Sequence, residues 1–209
     1  HTIELWENNS MPIDCRQMMA GSTINGKELT SEDMEVFSVT YEDCDSGPWH
    51  FCRHPSAFGT KEVMAEQLGR LPPILRTYIH YTLSWGGDGV KMGPSGDIAM
   101  SGDSINDTWV WIHEAAHAYD DGFSNALEDD RFTDGKNWTD AFNADEAVIT
   151  EYALSDQQEN FADTMMAVFF DLNFEGGIEG ITDSLPQWIN MYNLIIEAMG
   201  NDLTLGGTC

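Results

Sequence analysis

Positive charge is what this chain has least of. Lys and Arg together number 9 among 209 residues, against 36 Asp and Glu, so the formal net charge is −27. A surface of that sign repels nucleic acid and anionic membranes, and neither is expected as a partner. No apolar run approaches the roughly 20 residues needed to span a bilayer. Internal repeats and low-complexity linkers are also lacking, so no firm domain boundary is visible. What is present is the material of a core: 42% hydrophobic and 11% aromatic residues. That suffices for one substantial core, or for a core with a smaller lobe. No signal peptide is visible, yet four cysteines and three N-x-[ST] sequons, at Asn8, Asn106 and Asn137, accompany the acidic surface. Together they favour a secreted, extracellular and glycosylated protein from which a leader has been removed, and a monomer is expected.

The chemistry is concentrated in Trp109-Val110-Trp111-Ile112-His113-Glu114-Ala115-Ala116-His117. On a helix, His113 and His117 are i and i+4 and project from one face about one turn, roughly 6 Å, apart. Two neutral imidazoles at that spacing can hold one metal ion. Glu114 lies about 100° further round, where it misses the metal but can reach a metal-bound water. This is the H-E-x-x-H arrangement of zinc hydrolases. The flanking residues are apolar, so the helix is expected to be buried, and buried polar groups need partners.

A zinc hydrolase usually has a third protein ligand. Asp120 and Phe123 stand where a metzincin carries Gly and His, which excludes that route. The candidate lies in Ser155-Asp156-Gln157-Gln158-Glu159-Asn160-Phe161-Ala162-Asp163. Ser155 and Gln158 read as a capping box that starts a helix. Glu159 and Asp163 then share one face, while Phe161, Met165, Val168 and Phe169 can turn to the core. Glu159 is the expected third ligand. Asp163 is expected to hold a histidine N–H behind the metal.

H-E-x-x-H followed by E-x-x-x-D on a second helix resembles the gluzincin pattern. Tyr152, seven residues before Glu159, and the run Glu159-Asn160-Phe161-Ala162-Asp163 look like the catalytic domain of anthrax lethal factor and the Pro-Pro endopeptidases. The likeness covers roughly the second half of the chain, from about residue 95. It implies a secreted zinc endopeptidase acting on a protein or peptide substrate. His113, His117 and Glu159 would be the ligands of one Zn²⁺, Glu114 the general base and Tyr152 the donor to the oxyanion. The fold it implies is an α+β, zincin-like metallopeptidase domain. A small sheet with helices would occupy about 1–94, and a mostly α-helical half about 95–209. Ile98, Ala99 and Met100 would lie on an edge strand that takes the substrate backbone by strand addition.

Two other classes compete. One is a catalytically silent zincin-fold binding or effector protein, which the intact Glu114 disfavours. The other is a copper-binding oxidase, in which His1 chelates through its amine and ring. Cys44, His50, Cys52 and His54 lie within eleven residues and could form a zinc knuckle, but secretion favours disulfides. Four cysteines allow three connectivities, and the expected pairs are Cys44–Cys52 and Cys15–Cys209. Elsewhere, residues 36–41 read as a strand, 60–69 as a helix, 78–83 and 97–101 as strands. The active-site helix should start at Asp107 or Thr108 and end by about Gly122. The stretches 85–89 and 125–135 read as loop. A last amphipathic helix follows Ser184, with Trp188, Ile189, Tyr192, Ile195 and Ile196 inward.

Overall fold

A computed structural model describes residues 1–7, 10–24, 26–86, 90–92, 96–126 and 131–209. Runs rich in β-branched and aromatic residues form the strands. Those of the main sheet are β1 (Thr2–Leu5), β4 (Glu35–Thr40), β5 (Trp49–Arg53), β6 (Tyr81–Trp85), β7 (Val90–Met92) and β8 (Ile98–Ser101). They pair in the order β1-β4-β5-β6-β8-β7, while β2 (Thr23–Ile24) and β3 (Lys27–Glu28) make a separate ribbon. The sheet is mixed: β1, β4 and β5 run antiparallel, β5, β6 and β8 parallel, and β7 antiparallel to β8. Helices α2 (Lys61–Gly69) and α3 (Pro73–Thr77) make the crossover from β5 to the parallel β6.

Alternation along β4 divides the core. Phe37 and Val39 face the main cluster, which takes in α2, α3, α4 (Thr108–Ala126), α5 (Lys136–Ala144), α6 (Gln157–Asn173) and α7 (Ile189–Met199). Val36 faces a smaller cluster under α1 (Ile13–Met19), a helix that sequence periodicity did not disclose. Trp111, Trp138, Trp188 and Phe161 are fully buried in the main cluster. Phe161, Met165, Val168 and Phe169 all lie there as expected.

This two-faced sheet corrects the disulfides. The bridges are Cys15–Cys52 and Cys44–Cys209. Cys52 points from β5 into the smaller cluster, whereas Cys44 belongs to the main one, on the other side of the sheet. The two cannot meet although only eight positions part them. The same bridges exclude the zinc knuckle, since no cysteine is free.

The strand expected at the edge is also corrected. Ile98, Ala99 and Met100 lie in β8, which is flanked by β6 on one side and β7 on the other. All three are fully buried. With neighbours on both sides, β8 has no free backbone to offer a peptide.

Helix ends differ in detail. Asp107 caps α4, its Oδ1 accepting from the Trp109 N–H at 3.0 Å, and the helix continues past Gly122 to Ala126. The cap of α6 is Asp156 rather than Ser155, with Oδ1 accepting from the N–H groups of Gln158 and Glu159 at 2.9 Å each. An aspartate at that position satisfies two orphan donors at once. In α7 the fully buried residues are Met191, Ile195 and Met199, so the apolar stripe sits slightly off the expected one. Of the expected loops, 87–89 and 127–130 lie outside the described residues.

Candidate metal centre

Helices α4 and α6 pack side by side and bring two i, i+4 pairs face to face. His113 Nε2 lies 2.9 Å from Glu159 Oε2 and 3.1 Å from His117 Nε2, and His117 Nε2 lies 3.3 Å from the same Glu159 oxygen. Among the described residues, these three make the group of His, Cys, Asp or Glu side chains able to share a metal ion. In a tetrahedral zinc site, metal–donor distances of about 2.0–2.1 Å put adjacent donors about 3.3 Å apart. The observed triangle is slightly tighter than that, and small side-chain rotations would open it.

Protonation makes the argument sharper. Asp163 Oδ1 stands 2.9 Å from His113 Nδ1, so that nitrogen carries a proton and donates it. In a neutral His113 the Nε2 atom is then a bare lone pair, aimed at a carboxylate oxygen and at a second imidazole nitrogen. With the His117 proton on Nε2, His117 donates into the group itself; with it on Nδ1, three acceptors face one another and repel, and a metal ion or a proton on His113 relieves this. Burial lowers the affinity of His113 for that proton, but the Asp163 hydrogen bond and the charges of Glu114, Asp163 and Glu159 outweigh it and raise the pKa above 6.5. For His117 burial and the neighbouring His113 prevail, and the pKa falls.

Beside His113 lies a cleft of about 390 Å³, lined by that histidine and Asp163 together with Trp109, Val110, Glu114, Thr150, Tyr152 and Met166. Glu114 is 8% exposed. Burial, with the Glu159 charge added and His113 opposing, pushes its pKa up to about 7. Tyr152 is 57% exposed, its ring centre 6.0 Å from that of His113. Desolvation and then the charge of Glu159 raise its pKa.

One participant escaped the sequence. The Thr150 hydroxyl donates to Asp163 Oδ2 and accepts from the Ala153 N–H at 3.0 Å, which ties the 3₁₀ turn Tyr152–Leu154 to the back of the site. A lone threonine in an irregular segment gives no signal of this.

Other expected residues lie elsewhere. His1 is exposed, its ring 5.7 Å from Tyr41, and among the described residues it belongs to no group of three or more His, Cys, Asp or Glu side chains able to share a metal ion. Asp120 accepts from the backbone N–H and hydroxyl of Thr133, at 3.0 and 2.7 Å, and is a structural anchor. Asn106 and Asn137 are exposed on the surface. Asn8 lies outside the described residues.

Family comparison decides what this geometry belongs to. The model of the conidiation-specific protein Con-13 family matches residues 1–177. The chain belongs to the Con-13 family. It is also similar to the conidiation-specific protein 13 of Neurospora crassa, 27% identical over 172 residues. That alignment covers 82% of this chain and 49% of the relative, so the chain spans about half the length of the curated protein it matches.

Membership corrects the sequence reading. The chain is placed with Con-13, and not among the gluzincin peptidases that resemble anthrax lethal factor. The expected endopeptidase activity, the hydrolase class and the metalloprotease description fall with that resemblance. The physical reason is the shortness of what carried it. H-E-x-x-H and E-x-x-x-D fix where donors stand on two helices, and a donor geometry does not specify a reaction. The Con-13 match, by contrast, runs through the sheet and all helices up to α6.

Proposed function

We propose that this Con-13 family member is an extracellular protein that holds one zinc ion through His113, His117 and Glu159. The observation that carries the reading is the double engagement of His113, with Nδ1 committed to Asp163 and Nε2 turned to Glu159 and His117. The donor set of two imidazoles and a carboxylate suits zinc, and a carboxylate behind a ligating histidine fixes its tautomer. When bound, the ion supplies a positive charge that compensates Glu159 and Asp163 and favours the ionised form of Glu114. Asp163 and Thr150 keep the His113 ring in place, and Trp109, Val110 and Met166 limit the water around it. We read the α4–α6 arrangement over a mixed sheet as zincin-like.

Two disulfides support an oxidising, extracellular setting. Among the described residues no helix is long and apolar enough to cross a membrane. The charge of −27 disfavours nucleic acid as a partner, and a monomer is the expected state.

The test is a zinc titration of the chelator-stripped protein against a competing chromophoric chelator. One zinc per chain is expected, lost in His117→Ala and in Glu159→Ala. Stoichiometry well below one, or binding that both variants retain, would overturn the reading.

A further inference from the structure

Beside the first turns of α4 a second cavity of about 540 Å³ opens, with Trp109 standing between it and the cleft at His113. Its volume falls within the roughly 300–1,000 Å³ usual for sites that take one small organic molecule. Its walls come from well-separated parts of the chain. Trp109 and Ile112 are from α4, Phe169 from α6, and Phe174 follows α6. Leu71 lies between α2 and α3, and Leu205 is in the C-terminal tail. The Cys44–Cys209 bridge pins that tail in place.

Three rings form a concave wall. Trp109 and Phe169 have centres 6.5 Å apart, Phe169 and Phe174 6.1 Å, and Trp109 and Phe174 6.4 Å. Such a group ordinarily hides from water, yet Trp109 is 40%, Phe174 46% and Leu205 42% exposed. Apolar surface gathered in a concavity is worth more covered than wet.

The polar lining tells which ligand fits. Asp43 lines the cavity but is paired with the buried Arg76, and Arg70 lines it but is paired with Glu66. The Thr108 hydroxyl donates to Gln67 and accepts from Arg70. Each charge at the rim already has a partner of opposite sign in this chain, so no unmatched charge calls for a charged ligand. From this balance of charge and the ring-lined wall, we infer that the cavity binds one uncharged, largely apolar molecule that carries an aromatic ring. Ring faces would stack on Trp109 and Phe174, in the offset or edge-on geometries that such contacts favour. None of the three metal ligands lines this cavity, although Trp109 borders both clefts, and the inference does not rest on the zinc reading.

The experiment compares two fluorescent probes on the chelator-treated full chain. N-phenyl-1-naphthylamine is uncharged. 1-Anilinonaphthalene-8-sulfonate has the same rings with an added anionic group. The neutral probe is expected to bind saturably, one per chain, at least tenfold more tightly than the sulfonate. Phe174→Asp should weaken it at least tenfold, and so should Leu205→Asp. Both positions are exposed enough to tolerate the change, which far-UV circular dichroism checks. Ile181→Asp, at a more exposed apolar residue that does not line the cavity, should leave binding unchanged. Absence of saturable binding would overturn the inference. Equal affinity for the two probes, or insensitivity to Phe174→Asp and Leu205→Asp in folded protein, would overturn it as well.

Discussion

Asp163→Ala removes the group that orients His113 and should weaken both the fold and the metal site. Asp163 is 4% exposed and holds the His113 Nδ1–H at 2.9 Å and the Thr150 hydroxyl. A hydrogen bond to a charged group contributes about 1.5–3 kcal/mol, and leaving the His113 donor buried without a partner adds to the loss. Thr150 is exposed, so water replaces its bond at little cost. The expected destabilisation of the metal-free protein is thus about 2–4 kcal/mol. It depends on pH in a fixed direction. The pKa of His113 is raised in the fold, where burial pulls it down but Asp163 and its neighbours prevail. The stabilisation this brings is full below the unfolded-state pKa, about 6.5, and fades as pH climbs through the folded value. The cost of Asp163→Ala should therefore be larger at pH 6 than at pH 9. Asp163→Asn keeps an oxygen for the Nδ1–H and should lose less. Zinc affinity should drop about 10–100-fold in the alanine variant, as is usual when the partner of a ligating histidine is lost. Urea denaturation with chelator present and a competitive zinc titration read the two effects. Wild-type stability together with wild-type zinc affinity in Asp163→Ala would refute the reasoning.

Burial lifts the Glu114 pKa to about 7, so folding stability associated with its protonated form is present below about 4.5 and lost as pH rises through 7. Without metal, Glu114→Gln should then be more stable than wild type at pH 8, by about 1–3 kcal/mol, and indistinguishable from it at pH 4; equal urea midpoints at pH 8 would contradict this. Gly96 has φ +82°, and a Cβ there would lie 2.1 Å from the Tyr78 carbonyl oxygen. Gly96→Ala should cost at least about 2–4 kcal/mol, combining backbone strain with a clash against main chain, and an unchanged unfolding midpoint would count against it. Replacing Cys44 and Cys209 by Ser opens a connection with a sequence separation of 165, against 37 for Cys15–Cys52. On chain entropy the losses are about 5 and about 4 kcal/mol, so the first variant should melt lower, and the reverse order would show that native contacts near Cys15 dominate.

What could be read from sequence was what lies within one helix. His113 and His117 share a face because 3.6 residues make a turn, and Glu159 and Asp163 do so for the same reason. The meeting of the two pairs followed from chemistry, since acids on an otherwise apolar helix need partners. The helix read over 60–69 was legible in the same local way, and α2 spans Lys61–Gly69 with Thr60 as its cap. Strand order was not. That β7 folds back outside β8 is a nonlocal fact, and it removed the edge expected at Ile98, Ala99 and Met100. The bridges failed for a related reason: cysteines eight apart in sequence face opposite sides of a sheet whose layers the sequence does not announce. Helix α1, short and without a side-chain cap, had little local signal to give. The family was not legible in the motif, because a few well-spaced residues fix only a donor geometry on two helices, whereas membership rests on a match over residues 1–177.

The most direct test of the account is an anomalous-difference map collected at the zinc absorption edge from crystals grown with one equivalent of zinc. One peak per chain is expected, bounded by His113 Nε2, His117 Nε2 and a Glu159 oxygen at about 2.0–2.2 Å. A peak elsewhere in the molecule, or none at these three side chains in an otherwise unchanged fold, would contradict it.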